Sequence, residues 1–277
     1  YLNPGDLVVG KSTVPVGSAE RLLQMVVPTG AHLMWNPEFL REGFAVEDTL
    51  APDRLVYGVT DDEAGIKDTA LLDEVYATIL AKKTPRLVMN FATAELVKVA
   101  ANSFLATKIS FINAMAEIAD ATGANVTQLA DAIGHDDRIG RRFLNAGIGF
   151  GGGCLPKDIR GFAARATELG VGDALSFLKD VDDINLRRRA RVHDILVAEL
   201  GDLKGKKIAV WGLAFKPDSD DIRDSPALDI VESLARARAH VTGSDPEATG
   251  PASRRIAAAG LSDSVTLAVD HLGAAQD

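Results

Sequence analysis

The sequence is short of several things, and each shortage removes a class of function. It holds one cysteine in 277 residues, so the chain forms no internal disulfide and builds no cysteine-based zinc site. The thiol of Cys154 is either packing filler or chemistry, and a reducing, cytoplasmic setting is expected. The 5 histidines (32, 135, 193, 240 and 271) never fall at an i, i+4 ligand spacing, which predicts no metal. No apolar run approaches the roughly 18 residues of a membrane span, so no membrane association is expected. A formal net charge of −9 argues against a nucleic-acid binder, because such binding rests on many Lys and Arg contacts to phosphate. A basic pocket for one small phosphate ligand stays open.

What is present is ordinary globular composition, 47% hydrophobic and 25% charged. Strand-like and helix-like stretches alternate over the first part: Leu7 to Gly10, Ser18 to Val27, His32 to Asn36, Arg54 to Val59 and Asp62 to Leu80. That alternation predicts a parallel sheet with crossover helices. From Ala94 to Ala121 the apolar positions take helical spacing, with Gly123 as the breaker. Shorter helices are expected over Thr127 to Ile133 and Asp158 to Leu169, and a long charged one over Ser176 to Leu200. Ile208 to Leu213 reads as a buried strand opening a second α/β unit, with a helix over Leu228 to Ala237 and a strand at His240 to Gly243. The expected fold class is α/β in three segments: 1–92, the later part of one α/β domain; 93–202, a helical connector; and 203–277, the start of another α/β domain.

Two letter-perfect motifs fail on context. Gly5 to Ser12 matches G-x-x-x-x-G-K-[ST], but that cradle needs a strand before the first glycine and a helix from the Lys-Ser pair. Here the apolar strand lies between the glycines, and Pro15 and Gly17 stand where the helix belongs. Gly147, Gly149 and Gly152 fit G-x-G-x-x-G without a preceding strand. That segment reads as a flexible loop whose backbone approaches a ligand.

The lone thiol ends this glycine run, in Gly151-Gly152-Gly153-Cys154-Leu155-Pro156-Lys157-Asp158. Pro156 and Asp158 suit the first turn of a helix, which leaves Cys154 beside unpaired backbone N–H groups. A helix end contributes roughly 0.3 to 1 kcal/mol, so a nearby lysine must supply the rest of any thiolate preference. Lys98 and Asn102 share one face of the long helix, and an Asn between alanines, poor in helix propensity, is a candidate contact. Glu38 and Glu42 follow a strand where ligands collect at the carboxyl edge of a sheet. Lys216 and Arg223, on the loop after Gly212, are suited to phosphate, with surface ion pairs to their acidic neighbours as the competing use.

These blocks occur in one order: Lys11-Ser-Thr13-Val-Pro15-Val-Gly17, Asn36-Pro-Glu38-Phe39-Leu40-Arg-Glu42, Glu95-Leu-Val-Lys98 through Asn102, Phe150-Gly-Gly-Gly-Cys154-Leu-Pro-Lys157-Asp158, and Gly212-Leu-Ala-Phe-Lys216 through Pro226. Together they resemble the UDP-glucose/GDP-mannose dehydrogenase family, over nearly the whole chain. The resemblance implies a partial Rossmann-like NAD domain, a central helical dimerisation spine and a partial Rossmann-like UDP-binding domain. It also implies NAD-dependent oxidation of UDP-glucose at C6, through the aldehyde, to UDP-glucuronate.

In that resemblance Cys154 matches the nucleophile that carries a thiohemiacetal and then a thioester. Lys98 and Asn102 match the oxyanion-stabilising pair, and Asp158 the carboxylate that assists proton transfer and water attack. Glu38 matches a sugar-site carboxylate. Phe39, Leu40, Asn145, Phe150, Gly151 and Lys216 match substrate contacts, and Arg138 an arginine offered to the site of a neighbouring subunit of a homodimer. Thr13, Glu42, Lys157 and Arg223 match cofactor contacts. Gly153 replaces a serine common in the family.

The chain starts at Tyr1 without the family's strand and G-x-G-x-x-G turn. It therefore reads as an excerpt, truncated at both ends, expected to bind NAD weakly or not at all and to be inactive alone. A GDP-mannose or UDP-N-acetylmannosamine dehydrogenase, a P-loop NTPase and a non-catalytic binding module are the alternatives.

Overall fold

The structure, a computed structural model, describes residues 1–276. Its contacts group into two compact units: residues 1–102 with 164–172, and residues 103–163 with those described from 173 onward.

In the first unit, β1 (Leu7–Gly10), β2 (His32–Trp35), β3 (Leu55–Gly58) and β4 (Arg86–Met89) form one sheet in that order. Helix α1 (Ser18–Val26) joins β1 to β2, α2 (Ala45–Leu50) precedes β3, and α3 (Glu63–Val75) with α4 (Ala77–Leu80) leads to β4. Alternate residues of the strands face opposite sides. Leu33 and Trp35 pack with Ala19, Val26 and Phe91 on one face. Met34, Leu55 and Tyr57 pack with Leu72 and Ile79 on the other.

The parallel sheet expected from the alternation needs one correction. β1–β2 and β3–β4 are parallel, but β2 and β3 are antiparallel, paired only at Trp35 and Gly58. The segment between them holds just the six-residue α2, too little helix to return the chain across the sheet, so β3 enters from the end where β2 leaves. Strand β4 was not anticipated; Leu87 and Val88 are exposed there, so it lacks the buried-strand signature.

Helix α5 (Phe91–Thr122) contributes to both units, and Gly123, at φ 74°, ends it as expected. In the second unit α6 (Val126–Gly134) is capped by Asn125, whose Oδ1 accepts from the Thr127 and Gln128 amides. Helix α7 (Leu155–Glu168) also serves both units, and α8 (Phe177–Leu200) leads into the second sheet. Strands β5 (Lys207–Trp211), β6 (His240–Ser244) and β7 (Val265–Leu267) are all parallel, in that order. They alternate with α9 (Pro226–Arg236), α10 (Thr249–Ala258) and α11 (His271–Gln276) around a core that includes Leu213, Leu228, Val231, Leu234 and Val241. Among the described residues no helix is long and apolar enough to cross a membrane.

Candidate active site

The carboxyl ends of β1 and β2 lie side by side and carry the first group of candidates. Lys11, just past β1, donates to Asn36 Oδ1 at 2.9 Å and Tyr76 Oη at 2.7 Å, and pairs with Glu38 Oε2 at 3.0 Å. The Glu38 amide donates back to the Lys11 carbonyl at 2.9 Å. Burial works to lower the Lys11 pKa, but the bonds to Tyr76 and Glu38 outweigh it and hold the ammonium above its ordinary value. This use of Lys11, with β1 between Gly5 and Gly10 and α1 starting only at Ser18, disposes of the P-loop reading. Phe39 lies under two cations, Arg54 at 4.1 Å and Lys98 at 5.2 Å from its ring centre. Thr13, Leu40 and Glu42 are half-buried on the same loops.

The start of α1, a helix N-terminus of the kind that can take an anion on its free N–H groups, is filled from within. Glu95 on α5 is buried, and its two oxygens accept from the Gly17 and Ala19 amides, both at 2.7 Å. What the edge offers a cofactor is therefore hydroxyl, amide and carboxylate groups. Such groups suit the hydroxyls of a bound NAD, while the Gly17 and Ala19 amides at this helix start are already taken.

Cys154 is exposed and stands just before α7, its carbonyl accepting from the Asp158 amide at 2.9 Å, as the Pro156 and Asp158 signals predicted. Asp158 is buried in the first turn, 3.3 Å from Lys157 Nζ. The glycine run before it needs a correction. The loop was expected to be flexible, and from Gly149 to Gly153 it is packed closely against other segments. A Cβ at Gly149 would sit 2.6 Å from Asn185 Oδ1. One at Gly151 would collide with the Asp224 carbonyl, one at Gly152 would press on the Phe215 ring, and one at Gly153 would strike the Arg223 guanidinium. The Gly152 amide donates to the Arg223 carbonyl at 2.8 Å.

Phe150, buried, is held by α8 at both of its polar backbone atoms. Its amide donates to Asn185 Oδ1 at 2.6 Å, and its carbonyl accepts from Asn185 Nδ2 at 3.0 Å and an Arg189 Nη at 2.6 Å. Gly147 is held likewise, its amide by Asn113 Oδ1 at 2.8 Å and its carbonyl by Arg188 Nε at 3.0 Å. Asn145, exposed, accepts from Arg141 at 2.8 Å. Arg138 is largely exposed and forked onto Asp136.

The loop after β5 is anchored from Asp245, just past the end of β6. Asp245 accepts from the Leu213 and Ala214 amides through one oxygen and from the Glu247 and Ala248 amides through the other. Burial works to raise its pKa; the four N–H groups outweigh this and hold the carboxyl below its ordinary range. At the far end Ser225 Oγ donates to the Leu213 carbonyl at 2.7 Å. Lys216 lies 5.2 Å from the Phe215 ring centre, and Arg223 pairs with Asp221, the ion pair weighed as its competing use.

Glu95, Asn185, Arg189 and Asp245 escaped the sequence reading. For Asn185 a signal existed: it is an Asn inside a helix, between Ile184 and Leu186, the same anomaly that drew attention to Asn102. Among the described residues no group of three or more His, Cys, Asp or Glu side chains suits a metal ion.

Residues 1–80 match the NAD binding domain of the UDP-glucose/GDP-mannose dehydrogenase family, residues 92–187 its central domain, and residues 209–276 its UDP binding domain. The chain is 42% identical over 259 residues to UDP-glucose 6-dehydrogenase TuaD of Bacillus subtilis, covering 91% of this chain and 54% of the relative. It is 44% identical over 249 residues to the UDP-glucose 6-dehydrogenase of Rickettsia typhi, covering 89% and 56%. It thus spans about half the length of the curated relatives it matches. Among solved structures, a UDP-glucose dehydrogenase from the archaeon Pyrobaculum islandicum is similar at a TM-score of 0.86 and 39% identity, over 95% of this chain and 59% of that one. A UDP-D-ManNAc dehydrogenase from Pyrococcus horikoshii is similar at 0.74 and 27%, over 89% and 58%. With three domain matches in sequence order and relatives of this likeness, the chain belongs to the UDP-glucose/GDP-mannose dehydrogenase family.

Proposed function

We propose that the chain carries the catalytic half-site of an NAD-dependent UDP-glucose 6-dehydrogenase, which converts UDP-glucose to UDP-glucuronate in the cytoplasm. The observation that carries this is the exposed thiol of Cys154 before α7, on a loop packed from Gly149 to Gly153 against the protein. A thiol so exposed and so fixed suits attack on a carbonyl better than core filling.

In this reading Cys154 Sγ adds to the C6 aldehyde to form a thiohemiacetal, and loss of hydride from that carbon leaves a thioester, which water cleaves to the acid. Bound NAD supplies the hydride acceptor for both oxidations. Lys98 and Asn102 stabilise the oxygen that turns anionic on the reacting carbon. Asp158 and Glu38 take protons and direct water. Phe39, Leu40, Asn145, Phe150, Gly151 and Lys216 hold the nucleotide-sugar, and Thr13, Glu42, Lys157 and Arg223 hold the cofactor. The segments 1–92, 93–202 and 203–277 serve as the NAD-binding, central and UDP-binding parts.

A homodimer through the central helices is part of the proposal, with Arg138 reaching the neighbouring site. It is supported by Phe104, Phe111 and Ile118, exposed at seven-residue steps along α5, the spacing of a helix-pairing seam.

The test is turnover. The chain, completed with the segments its Bacillus subtilis relative carries beyond the match, is given UDP-glucose and NAD while NADH is followed. Release of NADH that disappears in Cys154→Ser supports the reading; equal rates in the two forms would overturn the nucleophile.

A further inference from the structure

Resting on the thioester reading, we infer that Asn185 and Arg189, one turn apart on α8, are positioning residues for Cys154. The loop ahead of the thiol has little that could fix it by itself: glycines fill 147, 149, 151, 152 and 153, and glycine backbone is the most expensive to order. Its order comes from α8. Asn185, fully buried, closes both polar atoms of the Phe150 backbone with one amide side chain, and is the acceptor for the Phe150 N–H.

Arg189, also buried, takes the same carbonyl and ties it to two carboxylates, Asp224 at 2.6 Å and Asp229. Asp224 is shared with Arg160 on α7, at 3.2 Å, and Asp229 with Arg255 on α10, at 2.6 Å. The Phe150 carbonyl is thus joined through Arg189 and Asp224 to the helix that Cys154 precedes. It is joined through the Asp224 backbone to the loop that carries Arg223. The Gly152 amide is held on the Arg223 carbonyl, next to the Asp224 that Arg189 pairs with, so Phe150 and Gly152 are fixed to the same segment and loosening the Phe150 clasp loosens the approach to Cys154. Neither side chain touches a reacting atom, so each acts through the loop.

The experiment combines amide exchange on this chain with turnover of the completed enzyme, beside Cys154→Ser. Asn185→Ala is expected to speed exchange of the Phe150 amide by about tenfold or more and to lower kcat by about 10- to 100-fold, the scale of a nucleophile displaced by an ångström. Asn185→Asp keeps the acceptor for that amide but faces the Phe150 carbonyl with an oxygen where Nδ2 donated, so exchange protection and kcat should recover together in part, and further as the new carboxyl is protonated at lower pH. A merely structural loss would not follow that pattern.

If Asn185→Ala melts below the assay temperature, Gly149→Ala breaks the same clasp from the loop side and is expected to give the same pair of changes. Wild-type exchange or wild-type kcat in a folded Asn185→Ala or Gly149→Ala, with Cys154→Ser inactive, overturns the positioning role. Full turnover by Cys154→Ser overturns the nucleophile reading instead.

Discussion

The sheet edge at Lys11 and Glu38 and the loop at Phe150 to Cys154 solve the same problem by opposite means. At the edge, side chains at and beyond the strand ends hold one another near water: Lys11 and Glu38 are about 40% exposed. At the loop, backbone without side chains is held by Asn and Arg reaching from a helix more than 30 residues further along the chain. An exposed ion pair contributes little, ~1 kcal/mol at most. A buried group that loses its partner costs its full desolvation, about 1–3 kcal/mol, or more if charged. Disruption should therefore be cheap at the edge and expensive at the loop.

The largest break is expected at Gly151→Ala. The new methyl would run into the Asp224 carbonyl and lie 2.8 Å from Pro226 Cδ, neither of which can turn aside as a side-chain tip would. Stability should fall by about 3 kcal/mol, read from the urea midpoint, with the loop amides losing exchange protection first. Glu95→Ala comes next. It strips the acceptor from the Gly17 and Ala19 amides at the start of α1, and about 2–3 kcal/mol is expected, with exchange rising in α1 before the second unit. Equal exchange in both units would sink that assignment.

The same contrast sets what was legible in the sequence. Periodicity found α5 because apolar spacing is a local property, and β5 and β6 were placed while β7 and α10 were not named; β5, expected as a buried strand, is exposed at alternate positions. The strand-between-glycines argument dismissed Lys11 as a phosphate ligand. Cys154, Lys98, Asn102 and Asp158 were singled out as members of an ordered set of motifs, and of their placement the helix start behind Cys154 was foreseen. What stayed hidden was any residue whose partner is backbone far along the chain: Glu95 for the Gly17 amide, Asn185 for Phe150, Asp245 for Leu213. A main-chain partner has no residue type, so it leaves no spacing to recognise. The antiparallel step between β2 and β3 was hidden for a related reason, since it rests on a single backbone pairing, Trp35 with Gly58, and neither residue type states the direction of its partner.

Asp245 gives a pH-dependent form of the comparison. Its carboxyl is held below the ordinary value of 3.8, so the stability it adds is complete at neutral pH and is lost as pH falls through the depressed value. Asp245→Asn keeps one acceptor oxygen for the four amides. It should cost about 2 kcal/mol at pH 7 and flatten the fall in stability below about pH 4. A melting series from neutral to acid pH that left the two proteins parallel would remove Asp245 from the anchoring role.

Lys11→Met is expected to do least. The exposed pair to Glu38 and the bonds to Asn36 and Tyr76 are lost, but Tyr76 Oη still donates to Asn36 Oδ1 at 2.8 Å and Asn36 Nδ2 to the Val56 carbonyl at 2.9 Å, so the buried amide is not orphaned. The raised Lys11 pKa means that its contribution is complete below the ordinary lysine value and disappears only as pH climbs through the raised one. The deficit should therefore stay below about 1 kcal/mol and be constant between roughly pH 6 and 9, as read by urea midpoints. A deficit as large as that of Gly151→Ala would mean that the edge, too, depends on a buried clasp, and the distinction between the two sites would fall.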